Sequence, residues 1–438
     1  MSSWLSFLFT LILLIKFLSI SGLKNCFDDN NNFYCKFASK APYRTIANYE
    51  DSPIKFSGCR EKKIWFLIRH GTRYPRREQI LDFIEELPKI QNFIIENFHN
   101  NKTKLNEPEI AKLSKWKITF GPDYSKALAE EGENEMIDLA ERFQSRFPRI
   151  LNQNYDNRTY KFKYTTTERT KSSAKNFALG LFGLKKSQNV FYEEAQKDDL
   201  ILRFYKKCKR WKQDIHKKPA STKERDKFIQ SRTVTNMLHE FSERTGEKLD
   251  FKTVLIIYLA CCFETALGQD SPWCELFSLN DFEVMEYSED LKSFWKDGYG
   301  HSLNCDQSCT TLKNMFEFFE SDKNLSVVSY FTHSGALVKF LCLLGLAKDD
   351  IPLTNESFLF HKNNRFWRTS LIDTFGSNIA FIFYDCEAGP SILFMHQERI
   401  VKLPNCPENL PCPVSNMKDI YPDSDEECKF DEMCSVEN

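Results

Sequence analysis

Short apolar runs occur along the whole chain and predict the strands of a sheet. Residues 64–68 are five consecutive apolar residues, and a run of this length is typical of a buried strand. Residues 160–165 alternate in polarity and are rich in Tyr and Thr, which also indicates a strand. The segments 325–331, 379–384 and 392–395 predict further strands.

Between these runs the apolar residues recur at helical spacing. Residues 81–98 and 129–147 predict amphipathic helices, and residues 336–346 predict a short apolar helix. The helix over 129–147 has an apolar stripe that predicts core packing rather than a cofactor site, formed by Met136, Leu139, Ala140 and Phe143. Strands that alternate with helices predict an α/β fold.

The same patterns indicate how the chain is divided. We expect an α/β lobe over residues 55–177 and 325–403, and the mainly helical pattern of residues 178–324 predicts a cap inserted between its two parts. The tail, residues 404–438, has few apolar residues and four cysteines, so we expect it to lie on the surface, held by disulfides. A chain of 438 residues with 42% apolar content is long enough for a large core.

The amino-terminal residues predict export. Residues 1–22 have an apolar core of signal-peptide length followed by small residues that suit cleavage. Lys16 interrupts that core, so residues 1–22 hold no apolar run long enough to cross a bilayer. In residues 23–438 the apolar stretch 254–262 is too short to cross a bilayer, so no membrane span is expected there. We therefore expect a secreted protein that passes through the lumen of the endoplasmic reticulum.

The cysteine count agrees with an oxidising compartment. Fifteen cysteines predict disulfides in a secreted chain, and the odd count leaves at least one thiol. Cys342 lies in an apolar segment and is the expected buried free thiol. Cys305 and Cys309 lack a nearby Cys/His pair at zinc spacing, so no metal site is predicted. Glycosylation sequons begin at Asn101, Asn157, Asn324 and Asn355.

The net charge of −1 neither favours nor excludes a polyanionic partner, because the charge is unevenly distributed. Residues 203–227 hold eleven Lys or Arg against three acidic residues. This basic run is either a solvated face or a lip that raises the local concentration of a polyanionic substrate. No recognised nucleic-acid-binding fold surrounds it, so no nucleic-acid partner is predicted.

The chemistry of the chain is concentrated where the first predicted strand ends. Arg69, His70, Gly71, Thr72 and Arg73 directly follow the apolar run, at a strand end of the kind where open α/β sheets bind ligands. Arginine binds phosphate in a planar, bidentate manner, and a neutral imidazole can attack phosphorus. The alternative is a basic strand end with His70 on the surface, but the full pattern is more restrictive than a single Arg-His pair.

Two other predicted strands end in residues of similar chemistry. Arg169 follows the strand over 160–165, where cap-type residues precede a helical stripe, so we expect it near a helix N-terminus, which favours anions. His333 follows the strand over 325–331, although a histidine in such a place is often a core residue. Spacing alone does not show that these residues converge with His70.

The segment 69–75, Arg-His-Gly-Thr-Arg-Tyr-Pro, resembles the Arg-His-Gly-X-Arg-X-Pro motif of the histidine acid phosphatases, a branch of the histidine phosphatase superfamily. The segments 271–277, 286–292 and 294–300 are similar to those of the multiple inositol polyphosphate phosphatases in that branch. The resemblance extends over residues 55–434. It implies a central, mostly parallel sheet flanked by helices, with the inserted helical cap.

The resemblance also implies a mechanism. His70 would be the nucleophile that forms a phosphohistidine, and His333 would be the second histidine facing the phosphate. Arg69, Arg73 and Arg169 would bind the phosphoryl oxygens. The substrate would be a small-molecule phosphomonoester, namely phytate, its lower homologues or 2,3-bisphosphoglycerate. No metal or organic cofactor would be needed, because the arginines would neutralise the charge.

One expected residue is missing from the motif of the second histidine. Relatives carry a general acid there, as His-Ala-Glu or His-Asp, whereas this chain has His333, Ser334 and Gly335. General acid catalysis is typically worth about 10²–10⁴-fold. Another carboxylate such as Glu168 could supply the proton, the enzyme could be slow on alkyl phosphates, or the protein could be a secreted inositol-phosphate-binding pseudoenzyme. The sequence leaves the general acid unassigned.

Overall fold

A computed structural model describes residues 25–28, 32–151, 154–362, 364–421 and 426–436. The signal peptide expected at residues 1–22 lies outside the described residues. None of the helices in the described ranges combines the length and the apolar character that a bilayer span requires.

A mixed sheet forms the centre of the molecule. Its strands are β1 (Cys59–Arg69), β2 (Tyr160–Tyr164), β3 (Val327–Thr332), β4 (Asn378–Cys386), β5 (Gly389–His396), β6 (Arg399–Ile400) and β7 (Cys412–Pro413). They lie in the order β2-β3-β1-β4-β5-β6, with β7 paired to β5. β2, β3 and β1 are parallel, and the pairings of β4 to β7 are antiparallel.

Helices surround this sheet, and the predicted α/β class is confirmed. They are α1 (Arg77–His99), α2 (Glu107–Lys115), α3 (Glu130–Arg146), α4 (Glu168–Ser187), α5 (Phe204–Lys207), α6 (Lys209–Asp214), α7 (Lys223–Ile229), α8 (Arg232–Thr245), α9 (Phe251–Ala266), α10 (Leu279–Asp297), α11 (Ser302–Asp306), α12 (Cys309–Glu320), α13 (Ser334–Leu343), α14 (Phe358–His361), α15 (Thr369–Ile372), α16 (Val414–Lys418) and α17 (Phe430–Cys434). Short 3₁₀ helices lie at Phe33–Lys36, Ala38–Lys40, Tyr43–Thr45, Pro122–Tyr124, Pro219–Ser221 and Pro272–Leu276. The predicted helical segment 178–324 contains α5 to α12, while its boundaries as a cap stay a prediction.

β1 is buried on both faces, which explains its uninterrupted apolar run. Trp65 and Leu67 belong to a core that includes residues of α1, α9, α10 and α13. Ile64, Phe66 and Ile68 belong to a second core that includes residues of α3 and α4. Successive residues of a strand point to opposite faces of a sheet, so the two cores lie on opposite sides of β1. The apolar stripe predicted on α3 packs into the second core.

The three parallel strands end side by side, and each leads into a helix. β2 is followed by α4 and β3 by α13, while β1 continues through residues 70–76 into α1. The register pairs Arg69 with Thr332 and Tyr164 with Phe331. The carboxyl ends of parallel strands are where open α/β sheets place ligands, so this edge is the place to look for a site.

Disulfides hold distant parts of the chain together. The bonds are Cys26–Cys35, Cys59–Cys386, Cys208–Cys434, Cys261–Cys274, Cys305–Cys342, Cys309–Cys428 and Cys406–Cys412. The prediction that Cys342 is a free thiol is wrong, because α13 brings it to Cys305 on α11. The free cysteine among the described residues is the buried Cys262. Adjacent helical residues project about 100° apart, so Cys261 faces Cys274 while Cys262 does not.

The four predicted glycosylation sequons lie where a glycan could be attached. Asn101, Asn157 and Asn324 are exposed, and Asn355 is half-buried. Their glycosylation stays a prediction, although no burial in the described structure contradicts it.

Two glycines allow the loop after β1 to approach α3 more closely than any side chain would permit. A Cβ on Gly71 would lie 2.3 Å from the carbonyl oxygen of Gly132. A Cβ on Gly132 would lie 2.2 Å from the carbonyl oxygen of Thr72. This backbone contact presses the basic loop against the first turn of α3.

We predict that Gly132→Ala destabilises the protein by about 1–3 kcal/mol, the usual cost of overpacking a close contact. Gly121→Ala is the matched control, because a Cβ there has no atom within 4 Å and its φ of −111° suits any residue. Urea unfolding should show the loss for Gly132→Ala alone. Equal midpoints for the two variants would contradict the tight contact described here.

Candidate active site

The ends of β1, β2 and β3 bring the predicted site residues together. His70 follows β1 and His333 follows β3, and their ring centroids are 5.6 Å apart. Arg169 is the second residue of α4, near the helix N-terminus as predicted. A guanidinium nitrogen of Arg169 lies 3.2 Å from Nδ1 of His333. The fold therefore brings these residues together, which their spacing in the sequence did not show.

His70 is buried and held in one tautomer. Its Nδ1 lies 2.9 Å from the carbonyl oxygen of Gly71. A carbonyl oxygen only accepts hydrogen bonds, so Nδ1 carries the proton and Nε2 keeps its lone pair. Burial lowers the pKa of His70 well below its usual value, and the charges of Arg169 and Arg69 lower it further. The lowered pKa favours the neutral imidazole.

His333 is the N-cap residue of α13 and is also held in one tautomer. Its Nδ1 accepts from Arg169, since a guanidinium only donates. Its Nε2 then carries the hydrogen that it donates to Oγ1 of Thr165, 2.9 Å away. Burial, and to a smaller extent the charge of Arg169, lowers the pKa of His333 well below its usual value.

Arg69 is a buried guanidinium with its position fixed by backbone carbonyls. It donates to the carbonyl oxygen of Asp373 and, over 3.0 Å, to that of Ser39. Its Nη1 also lies 3.3 Å from Oδ1 of Asp373, and the guanidinium stacks 4.8 Å from the ring centroid of Phe375. Its Nε has no hydrogen-bond partner among the described residues.

Arg73 and Arg169 complete a group of three closely placed cations. Arg73 donates to the carbonyl oxygen of Tyr74 over 2.7 Å. Burial, together with the charges of Arg169 and Arg69, lowers the pKa of Arg73 to about 9. Burial likewise lowers the pKa of Arg169 to about 10. Mutual repulsion of this kind is relieved when an anion binds between the guanidiniums.

The loop after β1 is fixed by a buried carboxylate that sequence reasoning missed. Glu135 of α3 accepts from the backbone N–H of Thr72 over 2.7 Å and from its hydroxyl over 2.9 Å. The N–H of Gly71 is bonded to Ser173 Oγ over 3.1 Å. Burial raises the pKa of Glu135 to about 7. Glu135 stands four residues before Leu139 on the apolar stripe, so an acid on a core-facing stripe was the available signal.

A cavity of about 410 Å³ opens beside these residues, and basic side chains outnumber acidic ones in its wall. The cationic side chains that line it are Lys40, Arg73, Arg76, Arg225, Lys292 and Lys296. Arg225 belongs to the basic run 203–227, so part of that run faces the cavity. Another part does not, since the exposed Arg210 pairs with Asp214 at 3.7 Å. In the part of the chain that the structure describes, no cluster of His, Cys, Asp or Glu has a metal-binding arrangement.

Two carboxyl groups line the cavity near the second histidine, and sequence reasoning identified neither. They belong to Asp297, the last residue of α10, and to Asp373, which follows α15. Glu168, the substitute considered from the sequence, is instead exposed and accepts from Ser172 over 2.6 Å. Gly335 lies in the first turn of α13, outside the positive φ region.

The profile of the family described as "Histidine phosphatase superfamily (branch 2)" matches residues 62–403. The chain belongs to this family. A relative from Drosophila melanogaster, "Multiple inositol polyphosphate phosphatase 1", is 32% identical over 94% of this chain and 90% of its own length. The Homo sapiens protein of the same name is 26% identical over 91% of this chain and 90% of its own length.

Solved structures of histidine phosphatases share the fold of this chain. The phytase from D. castellii has a TM-score of 0.75 at 17% identity, covering 92% of this chain and 88% of that one. A multiple inositol polyphosphate phosphatase from Bifidobacterium longum, in complex with inositol hexasulfate, has a TM-score of 0.63 at 12% identity. That match covers 85% of this chain and 94% of the bacterial one. Sequence identities this low establish the fold alone.

We predict that inorganic phosphate raises the unfolding temperature of this histidine phosphatase and that Arg169→Gln loses most of that effect. A ligand at 100 times its Kd adds about 2.7 kcal/mol to the free energy of unfolding. The matched control is Arg210→Gln, which removes an exposed arginine paired with Asp214. A phosphate titration followed by thermal unfolding measures the shift. A shift that is equal in the two variants would exclude Arg169 from the phosphate site.

Proposed function

We propose that this protein is a phosphomonoesterase that hydrolyses inositol polyphosphates through a phosphohistidine on His70. The observation that carries the proposal is the hydrogen bond from His70 Nδ1 to the Gly71 carbonyl oxygen. This bond leaves Nε2 with a free lone pair, close to three buried guanidiniums. A nucleophile that attacks a phosphoryl group requires such a lone pair.

In the proposed reaction, Nε2 of His70 forms a bond to phosphorus while the bond to the ester oxygen breaks. Arg69, Arg73 and Arg169 neutralise the charge on the phosphoryl oxygens. His333 transfers no proton to the substrate, because its Nδ1 accepts from Arg169 and its Nε2 donates to Thr165. The alcohol then leaves with a proton. A water molecule hydrolyses the phosphohistidine, which releases orthophosphate and returns the lone pair to His70.

The basic cavity supports inositol polyphosphates as the substrate class. One phosphate bound between the guanidiniums would leave the others against a wall that includes Arg76, Lys292 and Lys296. The acidic residues Glu289 and Asp297 of this cavity form their ion pairs with other cations, namely Lys40, Arg225 and Lys339. The names of the relatives agree with this class. Phytate, its lower homologues and 2,3-bisphosphoglycerate are the compounds to assay.

A binding protein without turnover is the second candidate, and Gly335 is the residue that favours it. The expected carboxylate is absent from residues 334 and 335. The carboxyl groups of Asp297 and Asp373 in the same cavity favour the enzyme. Turnover of phytate by the purified chain separates the two, because a pseudoenzyme would bind phytate and release no orthophosphate.

We also propose that the protein is exported, with the disulfides as support, since disulfides persist in oxidising compartments. Expression of the full chain in a secreting eukaryotic cell should yield protein in the medium that a glycosidase shifts to lower mass. Residues 1–22 should be missing from that protein. Retention of the whole product in the cytosol with reactive thiols would contradict export.

We predict that His70→Ala abolishes both turnover and covalent labelling by ³²P-labelled phytate. Nε2 of His70 is the proposed attacking atom, and a quench without acid preserves the acid-labile phosphohistidine. Peptide mapping should place the label on His70 in the wild type. His396→Ala is the matched control, because Nε2 of that histidine donates to the Ile372 carbonyl oxygen over 3.1 Å, outside the cavity. Label on another residue would end the proposal.

A further inference from the structure

Ser334 and Asp373 form a hydrogen-bonded pair at the place where the family motif normally carries its acid. Ser334 is the first residue of α13 and directly follows His333. Its Oγ is hydrogen-bonded to Oδ2 of Asp373, a residue 39 positions later in the chain. Both side chains line the cavity that Arg73 also lines. A carboxyl group is therefore joined to the pocket through the serine hydroxyl.

The surroundings of Asp373 suit a group that exchanges a proton in mildly acidic solution. Burial raises the pKa of Asp373 to about 6, against the opposing effects of Arg69 and of the hydrogen bond from Ser334. The other charged groups that act on it are Asp297, which raises its pKa, and Lys40, which lowers it. An effective general acid has a pKa close to the working pH.

The segment that carries Asp373 is itself anchored. Asp290 of α10 accepts from the backbone N–H of Thr369 over 2.9 Å and from Arg365 over 2.7 Å. These buried bonds fix the start of α15, and Asp373 follows directly after that helix. The position of the Asp373 carboxyl group therefore does not depend on Ser334. A group that passes a proton to another residue must be held in a fixed position relative to it.

We propose that Asp373 supplies the proton for the leaving alcohol and that the Ser334 hydroxyl passes it on. This inference rests on the phosphatase activity proposed above. As the P–O ester bond breaks, the Ser334 hydroxyl gives its proton to the departing oxygen and takes the carboxyl proton of Asp373. Asp373 becomes a carboxylate that accepts from Ser334. When water hydrolyses the phosphohistidine, its proton returns through Ser334 to Asp373.

Two other carboxyl groups line the cavity, and their contacts fit different roles. Glu289 pairs with Lys40 at 2.6 Å and with Arg225 at 3.2 Å. Asp297 is the second. Its Oδ1 lies 2.6 Å from Nζ of the buried Lys339. Burial alone would raise the pKa of Asp297, but the charges of Lys339 and Lys296 hold it below the usual value. Asp297 is therefore ionised when a proton must be donated. It also stands 3.5 Å from where a Cβ of residue 335 would be, in space that the usual glutamate would enter.

Leaving-group dependence tests the inference. Ser334→Ala should lower turnover of an inositol phosphate by about 10²-fold or more, as expected for lost general acid catalysis. Turnover of p-nitrophenyl phosphate should change little, because nitrophenolate leaves without a proton. Ser334→Thr keeps a hydroxyl and should restore inositol phosphate turnover. Ser302→Ala is the matched control, since Ser302 is likewise the first residue of a helix, α11, but is exposed and outside this cavity.

The pH profile provides a second readout. In the wild type, kcat for the inositol phosphate should fall as pH rises through about 6, where Asp373 loses its proton. Asp373→Asn should remove that limb and should lower kcat for the inositol phosphate far more than for the aryl phosphate. Thermal unfolding should show that each variant is folded.

The possible results distinguish this inference from the proposed function. If the wild type hydrolyses neither substrate, the proposed function fails. If the wild type hydrolyses both and Ser334→Ala loses the two activities equally or not at all, the function stands and the relay is wrong. A selective loss on the inositol phosphate in Asp297→Asn, with Ser334→Ala unaffected, would likewise overturn the relay and assign the proton to Asp297.

Discussion

The rest of the structure depends on keeping several cationic side chains close together in a buried place. Arg69 and Arg169 both lower the pKa of Arg73, and all three lower that of His70. Charges of one sign repel strongly where water is excluded, so the group must be held by a rigid frame. Three adjacent parallel strands provide it, and the close backbone contact with α3 and the bonds to Glu135 fix the loop that carries Arg73.

Acidic side chains border this group of cations. Oδ1 of Asp373 lies 3.3 Å from Nη1 of Arg69. The ion pairs of Arg365 with Glu286 and Asp290, at 2.8 and 2.7 Å, are buried beside the segment that leads to Asp373. Buried ion pairs add little net stability, but their geometry is specific. Their contribution here is to set where the segment before Asp373 lies.

Local patterns in the sequence predicted the local structure well. The run at 64–68 identified β1, and the stripe on 129–147 identified α3 and the core it enters, because periodicity reports burial directly. The three arginines and two histidines were also found, since each follows an apolar run and the motif resembles a known family. Their convergence was not shown by spacing alone, and the parallel register of β1, β2 and β3 accounts for it.

Features that depend on contacts between distant segments were not predictable. Cys342 was assigned as free because it lies among apolar residues, but pairing depends on how α11 and α13 are packed. Asp373 was missed because its importance depends on Ser334, which the chain separates from it and the fold brings into contact. The order of the sheet has a further consequence for biosynthesis. β1 is made early, yet its neighbours β3 and β4 and the bridges of Cys428 and Cys434 come from the last third of the chain. The loop of residues 70–76 therefore lacks its neighbouring strands through most of translation, and the site forms only when synthesis is nearly complete.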